Sequence, residues 1–292
     1  WISKGKNAQV KITYSENPII AVKSAKGNRN NIDGKYFVGI KDIFIPDGGN
    51  NRLFKPTYLR AFRYIQLDIE THEQELQIND YYHVTSKAPV SLKARFATDN
   101  DTLNRILDAG RRTAFVCAQD ILMSDASYEQ MQYVGDSRVH NLTMLALTGD
   151  DRLTRNSLIQ FNNSRIPEGL TLACYPNAYH LVIPSYSLIW IDQIYDYMMW
   201  KGDKEFVSGF LSGINSVLDW FENHRTRNGL LTNMEGWCAL GWPKDYISGV
   251  PPVEKTDANC LYSLHYAYTL RHAAEVFKFA GQKKQADEFT RR

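Results

Sequence analysis

The chain has no excess of charge of either sign: 34 Lys and Arg stand against 32 Asp and Glu, a formal net charge of +2. That near balance removes any electrostatic case for nucleic acid or an anionic membrane surface as a partner. Long apolar runs are also missing. The nearest, Leu188 to Trp200, carries Asp192 and Asp196 and is too short to span a bilayer. Cysteine is scarce, with four in 292 residues at positions 117, 174, 238 and 260 and no CxxC pair. Metal binding by them is therefore not expected, spacing alone leaves disulfides undecided, and the default expectation is small buried residues. There is no GxSxG, no HExxH and no phosphate-binding loop, so nucleophilic serine, zinc and nucleotide chemistry have no support. No signal peptide is recognisable and the first residue is Trp1, which reads as a processed or excised fragment.

What the chain has is length enough for about two domains and many rings, with 17 Tyr and 6 Trp. Core packing accounts for most such rings, and a carbohydrate cleft is a common reason for a surplus. Residues 1 to 97 read as β-structure. Gln9 to Tyr14 and Tyr64 to Ile69 alternate apolar and polar, punctuated by turn signals at Lys26-Gly27-Asn28, Asp33-Gly34 and Pro46 to Asn50. An antiparallel, sandwich-like module is the expectation. The run Arg60 to Tyr64 mixes cations and rings, and interdomain packing is its expected role.

From Thr98 the period changes. Thr98 and Asp99 are N-cap types, followed by Leu103, Ile106, Leu107, Gly110, Ala114 and Cys117 on one helical face. Asp136 is placed to cap a second helix ending at Gly149, and a third spans Asp151 to Asn162. Pro184 opens a helix that is apolar nearly all round and ends at Gly202, which marks burial on every side. A one-sided apolar stripe runs from Phe206 to Phe221, and a further helical period runs from Leu261 to Gly281. Buried helices alternating with one-sided ones, joined by long loops at 163 to 183 and 227 to 256, predict inner and outer layers of an α/α toroid. About seven helices are expected against twelve in a closed ring, hence part of a ring. A plain helical bundle would read similarly.

The stretch Ser124 to Arg138, SDASYEQMQYVGDSR, concentrates candidate chemistry. It sets two carboxylates, Glu129 and Asp136, among Tyr128, Gln132 and Tyr133, which suits binding or cleaving a sugar. The alternative is a helix N-terminus decorated with solvated acids. Trp237 and Trp242 suit stacking on sugar faces, with core or rim packing as the alternative. His180 reads as solvated, Arg165 and Glu168 as structural support, and Arg138 as a partner of Asp136 or a helix cap.

Taken together, KGNRNNIDGK at 26 to 35, FRYIQL at 62 to 67, YEQMQYVGDSR at 128 to 138, GDDRL at 149 to 153, SRIPEGLT at 164 to 171 and VLDWF at 217 to 221 resemble the α-L-rhamnosidase group of glycoside hydrolases. The resemblance implies a β-sandwich over 1–97 followed by part of an (α/α)6 barrel over 98–292. It also implies inverting hydrolysis of terminal α-L-rhamnose, no cofactor or metal, a carbohydrate as the partner, and a periplasmic or secreted location. Inversion needs two carboxyl groups about 6.5–9.5 Å apart, with one kept protonated as acid. Glu129 matches the family's acid, and Asp136, after Gly135, matches its sugar-binding Asp. Asp125, Tyr128, Tyr133, Trp237 and Trp242 complete the implied substrate contacts. The general base is implied from a Glu past Arg292. Two positions depart from the pattern: Ser124 stands where the family's leading Asp falls, and Gly241 where relatives carry an Asp before the second Trp. Asp125 or Asp245 are the candidates to substitute. A charged hydrogen bond to a hydroxyl contributes roughly 1.5–3 kcal/mol, so a carbohydrate-binding homologue without turnover, or a hydrolase for another sugar, stays open.

Overall fold

The computed structural model describes residues 1–20, 25–252 and 259–292, so the end of the 227 to 256 loop lies outside the described residues. Two compact units are present. The first comprises Trp1–Ser86 with Asp125–Glu129, the second Lys87–Ser124 with Gln130–Arg292. Residues 87–97, grouped with the strands by composition, carry no strand and are bonded into the second unit. The Ala88 N–H donates to the Ala118 carbonyl, and the Lys93 and Ala94 N–H groups to that of Leu147, each at 2.9 Å.

The first unit's described residues form five strands: β1 (Ile2–Lys4), β2 (Gln9–Ser15), β3 (Ile40–Phe44), β4 (Tyr64–Glu70) and β5 (Leu76–Ile78). They form two small antiparallel sheets, one of β1 and β5 and one in the order β3-β2-β4. The alternation read in β2 and β4 becomes register. Val10, Ile12 and Tyr14 stand opposite Ile69, Leu67 and Ile65, making one apolar face, while Lys11 on the other face pairs with Asp68 at 2.9 Å. Arg60 is bound within this unit by Asp42, whose two carboxylate oxygens accept from Nε at 3.0 Å and Nη2 at 2.8 Å.

The second unit's described residues form eight helices: α1 (Asp101–Cys117), α2 (Val134–Thr148), α3 (Arg152–Asn163), α4 (Pro184–Lys201), α5 (Lys204–Ser208), α6 (Leu211–Asn223), α7 (Cys260–Ala280) and α8 (Lys283–Arg291). Three of them, α2, α4 and α7, end on glycines 149, 202 and 281 in the left-handed conformation, the caps that residues without a Cβ supply most easily. α4 is buried over most of its circumference, as its all-round apolar sequence requires. It packs between α2 and α7, with α3 and α6 adding one apolar face each. Trp190, Ile191, Ile194 and Tyr197 of α4 centre this core. On α1 the expected apolar face is largely uncovered, and Leu103 and Ile106 are exposed.

Several sequence expectations are corrected. α1 is capped by Asn100, whose Oδ1 accepts from the Thr102 and Leu103 N–H groups. Thr98 is instead held by the Asn104 side chain. The stripe from Phe206 to Phe221 is two helices, because Gly209 and Phe210 bond back three residues and tighten the chain between them. Periodicity missed the break since Val207, Phe210 and Ile214 all remain in the core. α2 begins at Val134 after Tyr133, so Asp136 is in its first turn rather than at its cap, near the positive end of the helix dipole. None of the four cysteines is in a disulfide; Cys117 and Cys174 are buried, but Cys238 is only partly so and Cys260 is exposed.

Candidate functional site

The approach to α2 is built by polar side chains that local sequence patterns do not reveal. Gln132 is buried. Its Oε1 accepts the Leu122 N–H at 3.2 Å, and its Nε2 donates to Gln160 Oε1 at 2.7 Å and to the Tyr175 carbonyl at 2.9 Å. The Tyr175 N–H returns to the Gln132 carbonyl at 3.1 Å, and the Val134 N–H reaches that of Ala173 at 2.9 Å. Loop 163–183 is thereby joined to the start of α2. At Gly135 a Cβ would stand 2.8 Å from the Tyr186 ring, so the absence of a side chain lets that ring lie against the first turn of α2.

Upstream, Ser124 closes the flank of the loop. Its N–H donates to the Met131 carbonyl at 2.8 Å, and its hydroxyl accepts the Tyr133 N–H at 3.3 Å. The segment 125–129 belongs to the first compact unit. Within it Asp125, read as a sugar contact, turns its carboxylate on the backbone: Oδ1 accepts from Ser127 at 2.8 Å, Tyr128 at 2.6 Å and Glu129 at 3.3 Å. Tyr128 and Glu129 are exposed, and Gln130 follows with φ of +50°. Tyr133 and the exposed Asp136 lie in the second unit.

In the aromatic loop Trp237 and Trp242 come together, their ring centroids 6.0 Å apart at 64°. The Trp237 indole N–H donates to the Ser248 carbonyl at 2.9 Å and its backbone N–H to that of Val182 at 3.1 Å, which fixes this ring. Trp242 is 75% exposed and offers an open face. The Ala239 carbonyl accepts from the Ser185 hydroxyl at 2.9 Å and from the Tyr262 hydroxyl at 3.2 Å, anchoring the loop to the starts of α4 and α7. Burial raises the Tyr262 hydroxyl well above the ordinary tyrosine range, so it stays a donor. Asp245 is exposed. A Cβ at Gly241 would meet only Pro243 Cδ, at 3.6 Å, and its backbone is outside the left-handed region. Gly241→Ala is accordingly expected to leave the fold intact and raise unfolding free energy by about 0.4–1 kcal/mol, through the less flexible unfolded chain. Urea denaturation measures it.

Arg138 does not pair with Asp136. It reaches α4 instead, with Nε 2.7 Å from Asp196 Oδ2 and Nη1 3.3 Å from Asp192 Oδ2. The Asp192 side chain is fully buried and is also met by two α7 histidines, His272 Nδ1 at 2.9 Å and His265 Nε2 at 3.3 Å. Tyr195 stacks on His272 at 3.9 Å and 4°. Burial alone would push the Asp192 carboxyl up, but His265, His272 and Arg138 outweigh it and hold it below the usual carboxylate range. The seven-residue spacing of the histidines, which puts both on one face of α7, was the available sequence signal. Arg165 braces Asn162 and Ser216, while Glu168 and His180 are exposed.

Among the described residues no group of three His, Cys, Asp or Glu is arranged to hold a metal, and no helix is long and apolar enough to cross a membrane.

Residues 92–292 match the family model described as the bacterial alpha-L-rhamnosidase six-hairpin glycosidase domain. Comparison with curated protein sequences gives no match. Among solved structures, the chain is similar to a GH78 family rhamnosidase of Bacillus sp. GL1, with a TM-score of 0.77 and 21% identity over 99% of this chain and 29% of that one. A rhamnosidase from Klebsiella oxytoca with rhamnose bound gives 0.72 and 13% over 99% and 55%. An alpha-L-rhamnosidase from Dictyoglumus thermophilum gives 0.70 and 16% over 99% and 32%. At these identities the likeness is one of fold, and the chain spans from 29% to 55% of the length of those structures.

Proposed function

The chain belongs to the bacterial α-L-rhamnosidase six-hairpin glycosidase family, and from that premise we propose that it serves the hydrolysis of terminal α-L-rhamnosides with inversion, Glu129 acting as general acid. The observation that carries this reading is the family match across 92–292 together with a carboxylic acid, Glu129, in the loop that leads into α2. In this reading Asp136, Tyr128 and Tyr133 grip the sugar. Trp242 stacks on a sugar face, with Trp237 setting its angle. The chemistry is acid–base and calls for no cofactor. The two sheets of the first unit belong to a β-sandwich domain, the helices of the second are part of an (α/α)6 barrel, and the setting is periplasmic or secreted. On the complete polypeptide, the first product from an aryl α-L-rhamnoside is expected to be the β-anomer, followed by proton NMR before mutarotation. Retention of the α-anomer overturns inversion, since a retaining site holds a nucleophile in place of the water.

A second reading, a carbohydrate-binding homologue without turnover, is favoured by two observations: the Ser124 hydroxyl accepts the Tyr133 N–H, and Gly241 brings no side chain. Calorimetric rhamnose binding with no product release selects it, and a panel of aryl glycosides separates both from cleavage of a different sugar.

A further inference from the structure

We infer that Asp125 is a positioning residue for Glu129, acting through the backbone of the turn rather than as a ligand of the sugar; the inference rests on the proposed role of Glu129. Four contacts from three successive N–H groups converge on its carboxylate. Ser127 and Tyr128 donate to Oδ1 at 2.8 and 2.6 Å, while the Glu129 N–H is shared between Oδ1 at 3.3 Å and Oδ2 at 3.2 Å. An ionised carboxylate has about four acceptor sites, and these donors engage both of its oxygens. Hydrogen bonds to a charged acceptor are roughly twice as strong as neutral ones, so this side chain ties down the three residues that end at Glu129.

The turn is closed on both sides as well. Ser124 N–H bonds the Met131 carbonyl at 2.8 Å, and Gln130 reverses the backbone at φ +50° directly after Glu129. Between those two points the Asp125 carboxylate holds the backbone N–H of Glu129 itself. A general acid works only within hydrogen-bond reach of the leaving oxygen, and a misplacement of 1 Å costs about 10²-fold in rate. A ligand of a sugar hydroxyl would act differently: its removal weakens substrate binding as much as it weakens the transition state.

The test compares Asp125→Ala and Asp125→Asn in the complete polypeptide, with folding checked by circular dichroism. With an aryl α-L-rhamnoside, Asp125→Ala is expected to lower kcat about 10²-fold with KM within a few-fold. Asp125→Asn, which keeps an acceptor oxygen, recovers most of it. Amide hydrogen exchange at residues 127–129 is expected to quicken in the Ala variant and to stay near wild type in the Asn variant. A raised KM at unchanged kcat makes Asp125 a sugar ligand and overturns the inference, as do unchanged kinetics in the Ala variant. Unaltered exchange at 127–129 overturns it too. If the wild-type polypeptide cleaves no rhamnoside, the proposed function fails on its own, while the exchange measurement still decides whether Asp125 holds the turn.

Discussion

Glu129→Gln is expected to lower turnover of α-L-rhamnosides by about 10²–10⁴-fold, the span that a positioned proton donor contributes, while leaving the fold unchanged. The amide keeps the shape of the side chain and removes the transferable proton. Glu129 is exposed and is part of neither hydrophobic core cluster, so its replacement creates no cavity. The loss is further expected to depend on the leaving group. A 4-nitrophenolate departs with little protonation, whereas an alkoxide needs the proton fully, so the deficit grows from the nitrophenyl to an alkyl rhamnoside. Steady-state kinetics across such a series separates a proton donor from a side chain that only shapes the site, because a shaping role gives the same deficit for every leaving group. Unchanged turnover throughout the series removes Glu129 from the mechanism.

Asp192→Ala is expected to cost about 3–5 kcal/mol of unfolding free energy, the range for removing one partner from a buried ion pair. The lower end is favoured because Arg138 keeps Asp196 at 2.7 Å. The truncation leaves His265 and His272 without the carboxylate that joins α7 to α4. The pH dependence follows from the depressed carboxyl of Asp192. A group more acidic in the folded than in the unfolded chain contributes its full stability above the unfolded value, about pH 4. That contribution is lost as pH falls through the lower folded value. The gap between wild type and Asp192→Asn is therefore expected to be widest above about pH 4 and to narrow below it, as read by denaturant titrations at stepped pH. A gap independent of pH between 2 and 6 would refute the linkage.

The elements that the sequence disclosed are those governed by local periodicity. β2 and β4 alternate because one face of each is apolar in the sheet. α4 is apolar all round because it packs between α2 and α7, and glycines 149, 202 and 281 end their helices for want of a Cβ. Competing caps and short-range tightening were harder to read, since Thr98, Asp99 and Asn100 are all capping types and the choice between them is made by side-chain bonds within residues 98–104. The family motif singled out Glu129 and Asp136 as candidates, but the long-range bonds of the second unit were not legible. Arg138 to Asp192, Gln132 to Tyr175 and Trp237 to Ser248 join residues 54, 43 and 11 positions apart. Helical and strand periodicity carries no signal for such side-chain bonds.

The amide of Gln132 has one more consequence. Because one buried side chain links the turn at Leu122, the α3 residue Gln160 and the carbonyl of Tyr175, these three pieces of chain share a single hinge pin. Separating any one of them from the others breaks a hydrogen bond of a buried amide and leaves a polar group unsatisfied, at a cost of about 1–3 kcal/mol.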